Sequence, residues 1–225
     1  FHGNGYTISG LYIEEVGSQL GFFRYIGDLG EVHDLTVKGN VIPSGSQTEL
    51  GGIAGVNYGL IQNCIFEGNI LGQEAIGGIA GTNGAFAKII NCSTKAFVQG
   101  TNRTGGIAGV NEGTIEGCTN ESKVNIEELE PVLEVEGMDM GDLNMAQVLV
   151  TRNNTGGIAG RSSGLILNCT NKGTVGYEHV GYNVGGIAGT QKGVIKDSSN
   201  HGDVYGRKDV GGIVGQAEPY IESEY

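Results

Sequence analysis

Gly51-Gly52-Ile53-Ala54-Gly55-Val56-Asn57-Tyr58-Gly59-Leu60-Ile61-Gln62-Asn63-Cys64 decides how this chain is read. Its first five residues return as Gly-Gly-Ile-(Ala/Val)-Gly at 77–81, 105–109, 156–160, 185–189 and 211–215. A degenerate copy, Gly21-Phe22-Phe23, precedes them. The intervals between copies are 30, 26, 28, 51, 29 and 26 residues. Five of these are one period, and the interval of 51 is a period with extra residues inside it.

Working outward from the motif, like residues recur at like places. Ile53 corresponds to Phe23, Ile79, Ile107, Ile158, Ile187 and Ile213. Ile61 corresponds to Val32, Ile89, Ile115, Ile166 and Ile195, and Ile70 to Val41, Val98, Val124, Val175 and Val204. Leu50 corresponds to Leu20, Ile76, Thr104, Thr155, Val184 and Val210. Such a unit cannot bury its apolar positions alone, whereas stacked copies bury each column against itself. The apolar runs are short, β-branched and broken by glycine, which favours strands over helices. The expected fold is all-β: a right-handed parallel β-helix of about seven coils of ~26 residues, each coil holding three strands and three bends. A β-propeller is the weaker alternative, because a blade uses about 40 residues and four strands.

Composition agrees. Glycine contributes 43 of 225 residues against 3 prolines, which excludes collagen-like chains. There is no tryptophan, so small and β-branched side chains must fill the core. The net charge of −12 argues against nucleic acid as a partner. No apolar run approaches the length of a membrane span, so no membrane insertion by this segment is expected. The chain opens Phe1-His2-Gly3 without an initiator Met and reads as a single β-helix domain, 1–225, cut from a larger protein.

The stretch 51–64 resembles the GLUG repeat family, and Phe1-x-Gly-Asn-Gly-Tyr-Thr-Ile-Ser-Gly-Leu11 resembles the lead-in that precedes such repeats. The family occurs in large bacterial surface proteins: adhesin-like proteins and the non-catalytic N-terminal region of immunoglobulin-A metalloproteases. The resemblance implies a cell-surface or secreted location. No zinc-binding His-Glu-x-x-His occurs in the chain.

Cys64, Cys92, Cys118 and Cys169 share one repeat position with Leu35 and Ser198. That points to a column of free thiols in the core. In-register side chains lie parallel, which disfavours disulfides, and the spacing lacks a chelating pair for zinc. The preceding residues are Asp34, Asn63, Asn91, Gly117, Asn168 and Asp197 and read as a bend that tolerates unusual backbone angles.

The long interval holds an acidic insertion, 126–150, read as a loop between coils. Insertions in solenoids often form the binding face, which makes Glu134, Glu136, Asp139 and Asp142 a candidate partner-binding loop. They fit no standard calcium loop.

No catalytic, metal or cofactor site is expected, and the chain is read as no enzyme. The leading function is a non-catalytic surface module for adhesion, spacing or partner binding, the partner being a host protein or a glycan. One alternative is an accessory domain of a surface metalloprotease of the immunoglobulin-A type. A further one is a pectate-lyase-like carbohydrate-active enzyme, which needs acidic and basic groups clustered on one strand face. The candidates Arg103, Arg152, Lys172 and Asp197 fall in unrelated registers.

Overall fold

The computed structural model describes residues 1–45, 47–127 and 152–219. Among these there is no helix, and the inner coils contribute strands to each of four parallel sheets. The coil around the second motif shows the pattern: Glu74–Gly77 lies in sheet one, Ala80–Asn83 in sheet two, Lys88–Ile90 in sheet three and Ser93–Gln99 in sheet four. Sheet two stacks seven strands, from Phe23–Ile26 to Val214–Ala217, so the solenoid makes about seven turns.

Pairing is parallel and joins equivalent positions of successive coils. Ile89 pairs with both Ile61 and Ile115, and Val98 with both Ile70 and Val124. Leu50 pairs with Ile76, and Ile76 with Thr104. Consecutive repeats therefore lie beside one another, which removes the propeller. The Ile53 column is buried completely at Ile53, Ile79, Ile107, Ile158 and Ile187. A fully buried Ile stabilises the fold by roughly 1.5–3 kcal/mol relative to exposure, so these columns dominate the core.

Two expectations need correction. The coil has four strands rather than three. Corners are shorter than the three-bend reading allowed: only Gly78 and Ile79 separate the strands of sheets one and two. A turn of 26 residues then has room for a fourth strand. In the first coil, Phe23 pairs with Ala54 rather than standing at the position of Ile53. Leu20 pairs with Leu50, so this coil crosses the corner with one residue fewer. The lead-in itself belongs to the solenoid. His2 bridges to His33, and Thr7–Ile13 pairs with Thr36–Val41 in sheet four. Phe1, Phe22 and Phe23 form an edge-on aromatic cluster in this starting coil, with ring centroids 5.0–6.5 Å apart.

Polar columns run inside the stack as well. Asn57 Nδ2 donates to Asn83 Oδ1 at 2.9 Å, Asn83 Nδ2 to Asn111 Oδ1 at 2.8 Å, and Asn111 Nδ2 to Ser162 Oγ at 3.1 Å. A second ladder joins Thr94, Asn120, Asn171 and Asn200 at 2.7–2.9 Å. Each buried amide finds its partner one rung away, which offsets the desolvation that an isolated buried amide would cost.

Candidate binding trough

Three glycines of the recurring motif have separate steric reasons. A Cβ on Gly77, the first, would lie 2.6 Å from the Cα of Ala108 in the next coil. On Gly78, the second, it would lie 2.7 Å from Thr94 Cγ2 in the core. On Gly81, the last, it would lie 2.6 Å from the Cα of Glu49 in the preceding coil. The third relationship repeats as Gly109 on Ala75, Gly160 on Arg103, Gly189 on Asn154 and Gly215 on Asn183. Each last glycine of sheet two therefore seats the backbone of a residue from sheet one of the coil before. This seam forms the floor of a trough on the outer surface.

The seated residues are Gln19, Glu49, Ala75, Arg103, Asn154 and Asn183, and these, like Asp209 at the same position of the last described coil, are in the left-handed region with φ of 54–58°. Thr48 pairs with Glu74 and Leu50 with Ile76, so Glu49 and Ala75 stand between paired positions. Their side chains turn outward onto the seam. Two adjoining concavities of about 330 and 400 Å³ lie over it and share Glu74 and Arg103. Together they extend from Thr48 and Tyr58 to Gln216 and Glu218.

The walls are linked by hydrogen bonds along the axis. Glu49 accepts from Gln19 Nε2 at 2.9 Å and from Thr82 Oγ1 at 3.1 Å. Arg103 forms a close ion pair with Glu74. Asn102 Oδ1 accepts from Asn154 Nδ2 at 3.0 Å, and Asn154 Oδ1 accepts from Asn183 Nδ2 at 3.2 Å and from Thr190 Oγ1 at 2.6 Å. The Nε–H of Arg103 is buried with no acceptor among the described residues. Arg161 reaches the same trough from sheet two.

The cysteine position behaves differently. Cys64, Cys92, Cys118 and Cys169 are buried and free. Cys64 N–H donates to Cys92 Sγ and Cys92 N–H to Cys118 Sγ, both at 3.4 Å, while Cys169 N–H donates to Ser198 Oγ at 3.1 Å. Burial pushes the Cys92 and Cys118 thiols well above the ordinary value. The residues before them, from Asp34 to Asp197, all have φ of 51–65°. They form the other left-handed corner and carry only Asn, Asp or Gly, as a corner of this geometry favours.

Glu134, Glu136, Asp139 and Asp142 lie outside the described residues, as does most of 126–150. At its base, Arg152 is buried and donates from Nη1 to the Glu127 carbonyl at 2.7 Å; burial pushes its guanidinium down to about 10. The four scattered charges are not brought together: Arg103 is in the trough, Arg152 at the insertion base, Lys172 against Glu121 at 3.5 Å, and Asp197 on the cysteine-side corner. Among the described residues no group of three or more His, Cys, Asp or Glu side chains is placed to hold a metal ion, and no helix is long and apolar enough to cross a membrane.

Sequence reading missed the trough. Its signal was the position two residues before each Gly-Gly pair, where Glu49, Ala75, Arg103 and Asn154 share a backbone angle but no side-chain type.

Over 81 residues, 36% of this chain, the sequence is 35% identical to Halomucin of Haloquadratum walsbyi (strain DSM 16790 / HBSQ001), where the match covers 1% of that protein. Over 68 residues, 29% of this chain, it is 38% identical to a protein of Evansella cellulosilytica named "Putative Gly-rich membrane protein", covering 8% of it. The chain thus spans only a small part of the curated relatives it matches. Its fold is similar to that of a crystal structure titled as a "putative immunoglobulin A1 protease" from Bacteroides ovatus, with a TM-score of 0.55 and 20% identity over 98% of this chain and 74% of that one. The family described as "The GLUG motif" matches residues 72–96, the coil described above, and the chain therefore carries the GLUG motif on a parallel β-solenoid.

Proposed function

We propose that this chain is a non-catalytic β-helix module of a cell-surface or secreted protein, serving adhesion or partner binding. The observation that carries the reading is the trough: two adjoining concavities on a stack whose backbone pairing holds their walls in fixed register. Sites built on regular elements keep their geometry better than sites on loops, and a long solenoid face suits an extended partner. The names of the relatives, a halomucin and a Gly-rich membrane protein, support a surface location. So does the motif at 72–96.

Antibody raised against the purified chain tests the location. Labelling of intact cells that produce the parent polypeptide, or recovery of the polypeptide from the medium, is the expected result. Labelling that requires permeabilised cells contradicts the reading.

A further inference from the structure

Resting on the reading of the trough as the binding face, we propose that it holds an uncharged oligosaccharide laid along the solenoid axis. Four observations lead there. First, the strands of sheets one and two that flank the seam are already paired with the coils above and below, so their backbone is committed. An extended peptide cannot add to a sheet there, and an occupant must be recognised by side chains. Second, those side chains are amides, hydroxyls, carboxylates and guanidinium groups, spaced one rung apart at about 4.8 Å. A glycan, with hydroxyls that both donate and accept on every unit, matches that alternation, and a pyranose is close to one rung in length.

Third, the charged groups facing the trough are Glu49, Glu74, Glu112 and Glu218 against Arg103 and Arg161. The acidic excess, on a chain of net charge −12, repels uronates, sulfated glycans and phosphates. At one end stand the partly exposed rings of Tyr25 and Tyr58, 5.5 Å apart between centroids, offering an aromatic face beside polar groups.

Fourth, the two left-handed corners of the coil differ in what they carry. The cysteine-side corner is confined to Asn, Asp and Gly, whereas the trough corner, with Asn154, Asn183 and Asp209 in its later coils, places Gln19, Glu49, Ala75 and Arg103 at φ of 54–58° in the earlier ones. Non-glycine residues of these types are uncommon there, and such strain is characteristically retained where a side chain serves a site. Arg103 also keeps its buried Nε–H without an acceptor, and Arg161 has no carboxylate partner among the described residues.

The test is isothermal titration of the whole chain with hexasaccharides of the cello, xylo, manno, malto, β-1,3-gluco and chito series. An oligogalacturonate, a heparin-derived hexasaccharide and extended decapeptides are run in parallel. The expected result is binding of at least one neutral series, tightening from trimer to hexamer. Arg161→Ala, at unchanged melting temperature, and Glu74→Gln should each weaken it by about tenfold or more, the loss of one charge-assisted hydrogen bond. Arg161→Ala removes no internal bond, so it decides the matter if Glu74→Gln fails to fold. Binding of no neutral series, binding of anionic glycans or peptides alone, or neutral binding indifferent to Arg161→Ala overturns the proposal. Any of these with intact surface labelling overturns the glycan assignment alone, while labelling confined to permeabilised cells strikes the module reading.

Discussion

Gly81 carries the backbone of Glu49: a Cβ built on the glycine would stand 2.6 Å from the Glu49 Cα. The glutamate is held at φ 58° on that seat, and its carboxylate faces outward into the trough. The last glycine of the motif thus belongs to the seam between two coils as much as to its own strand.

Substituting Gly81→Ala therefore forces one coil away from the next. The neighbour is backbone and cannot rotate aside, so the cost falls at the upper end of the roughly 1–3 kcal/mol typical of overpacking, or above it. Urea unfolding should show the loss. Gly212→Ala is the control, because a Cβ there meets nothing within 4 Å, and it should change stability little.

Asn83 accepts from Asn57 and donates to Asn111 with its side chain fully buried. Asn83→Ala takes the donor from Asn111 Oδ1 and the shortest acceptor from Asn57 Nδ2, which keeps the Gly59 and Lys88 carbonyls at 3.3 Å, and should cost about 1–3 kcal/mol, one desolvation penalty. Asn83→Ser should cost less, since Ser162 already accepts from Asn111 in this column. Thermal or urea denaturation of the two variants checks the order.

The thiol column predicts slow chemistry. In the native protein Cys92 and Cys118 should react with a thiol reagent only at the rate of opening, with little acceleration at mildly alkaline pH, because burial holds them protonated. Denatured, unreduced protein should titrate four thiols. Cys92→Ser should be tolerated better than Cys92→Phe, whose added volume costs roughly 1–3 kcal/mol.

The apolar columns lie outside 126–150, so the insertion should be removable. Structure refines the cut: Asn125 bonds Gly100 N–H and Thr155 at 2.8 Å, and Glu127 receives Arg152. Deleting 128–150 spares these and leaves 28 residues between Gly105 and the next motif, the interval already found between Gly77 and Gly105. It removes six carboxylates and no cation, moving the net charge from −12 to −6. Loop closure changes by only about a kcal/mol. A similar melting temperature is expected; loss of cooperative unfolding would show that the segment completes the core.

The columns were legible because a stacked position repeats its own residue type: Ile61, Ile89, Ile115 and Ile166 pair in series. The number of strands was not, because a corner of two residues such as Gly78-Ile79 leaves no gap in the β-prone pattern. The pairing of Phe23 with Ala54 was not legible either, because glycine spacing hides a shortened corner. The trough was invisible for a different reason. Its seated residues share a backbone angle and a contact with the next coil but no side-chain type, and contact between coils is absent from one period of sequence.

Spin-label distances test the central claim, one coil per repeat stacked in register. Tyr25, Arg161, Thr190 and Gln216 lie in one outward column of sheet two. From a label at 25, the distances to labels at 161, 190 and 216 should be roughly 19, 24 and 29 Å, the products of four, five and six rungs with the inter-strand spacing. Crossing the 51-residue interval between 110 and 161 should add no more than any other rung. Distances that rise by about 5 Å per repeat support the account. Distances that plateau, or that jump across the insertion, contradict it.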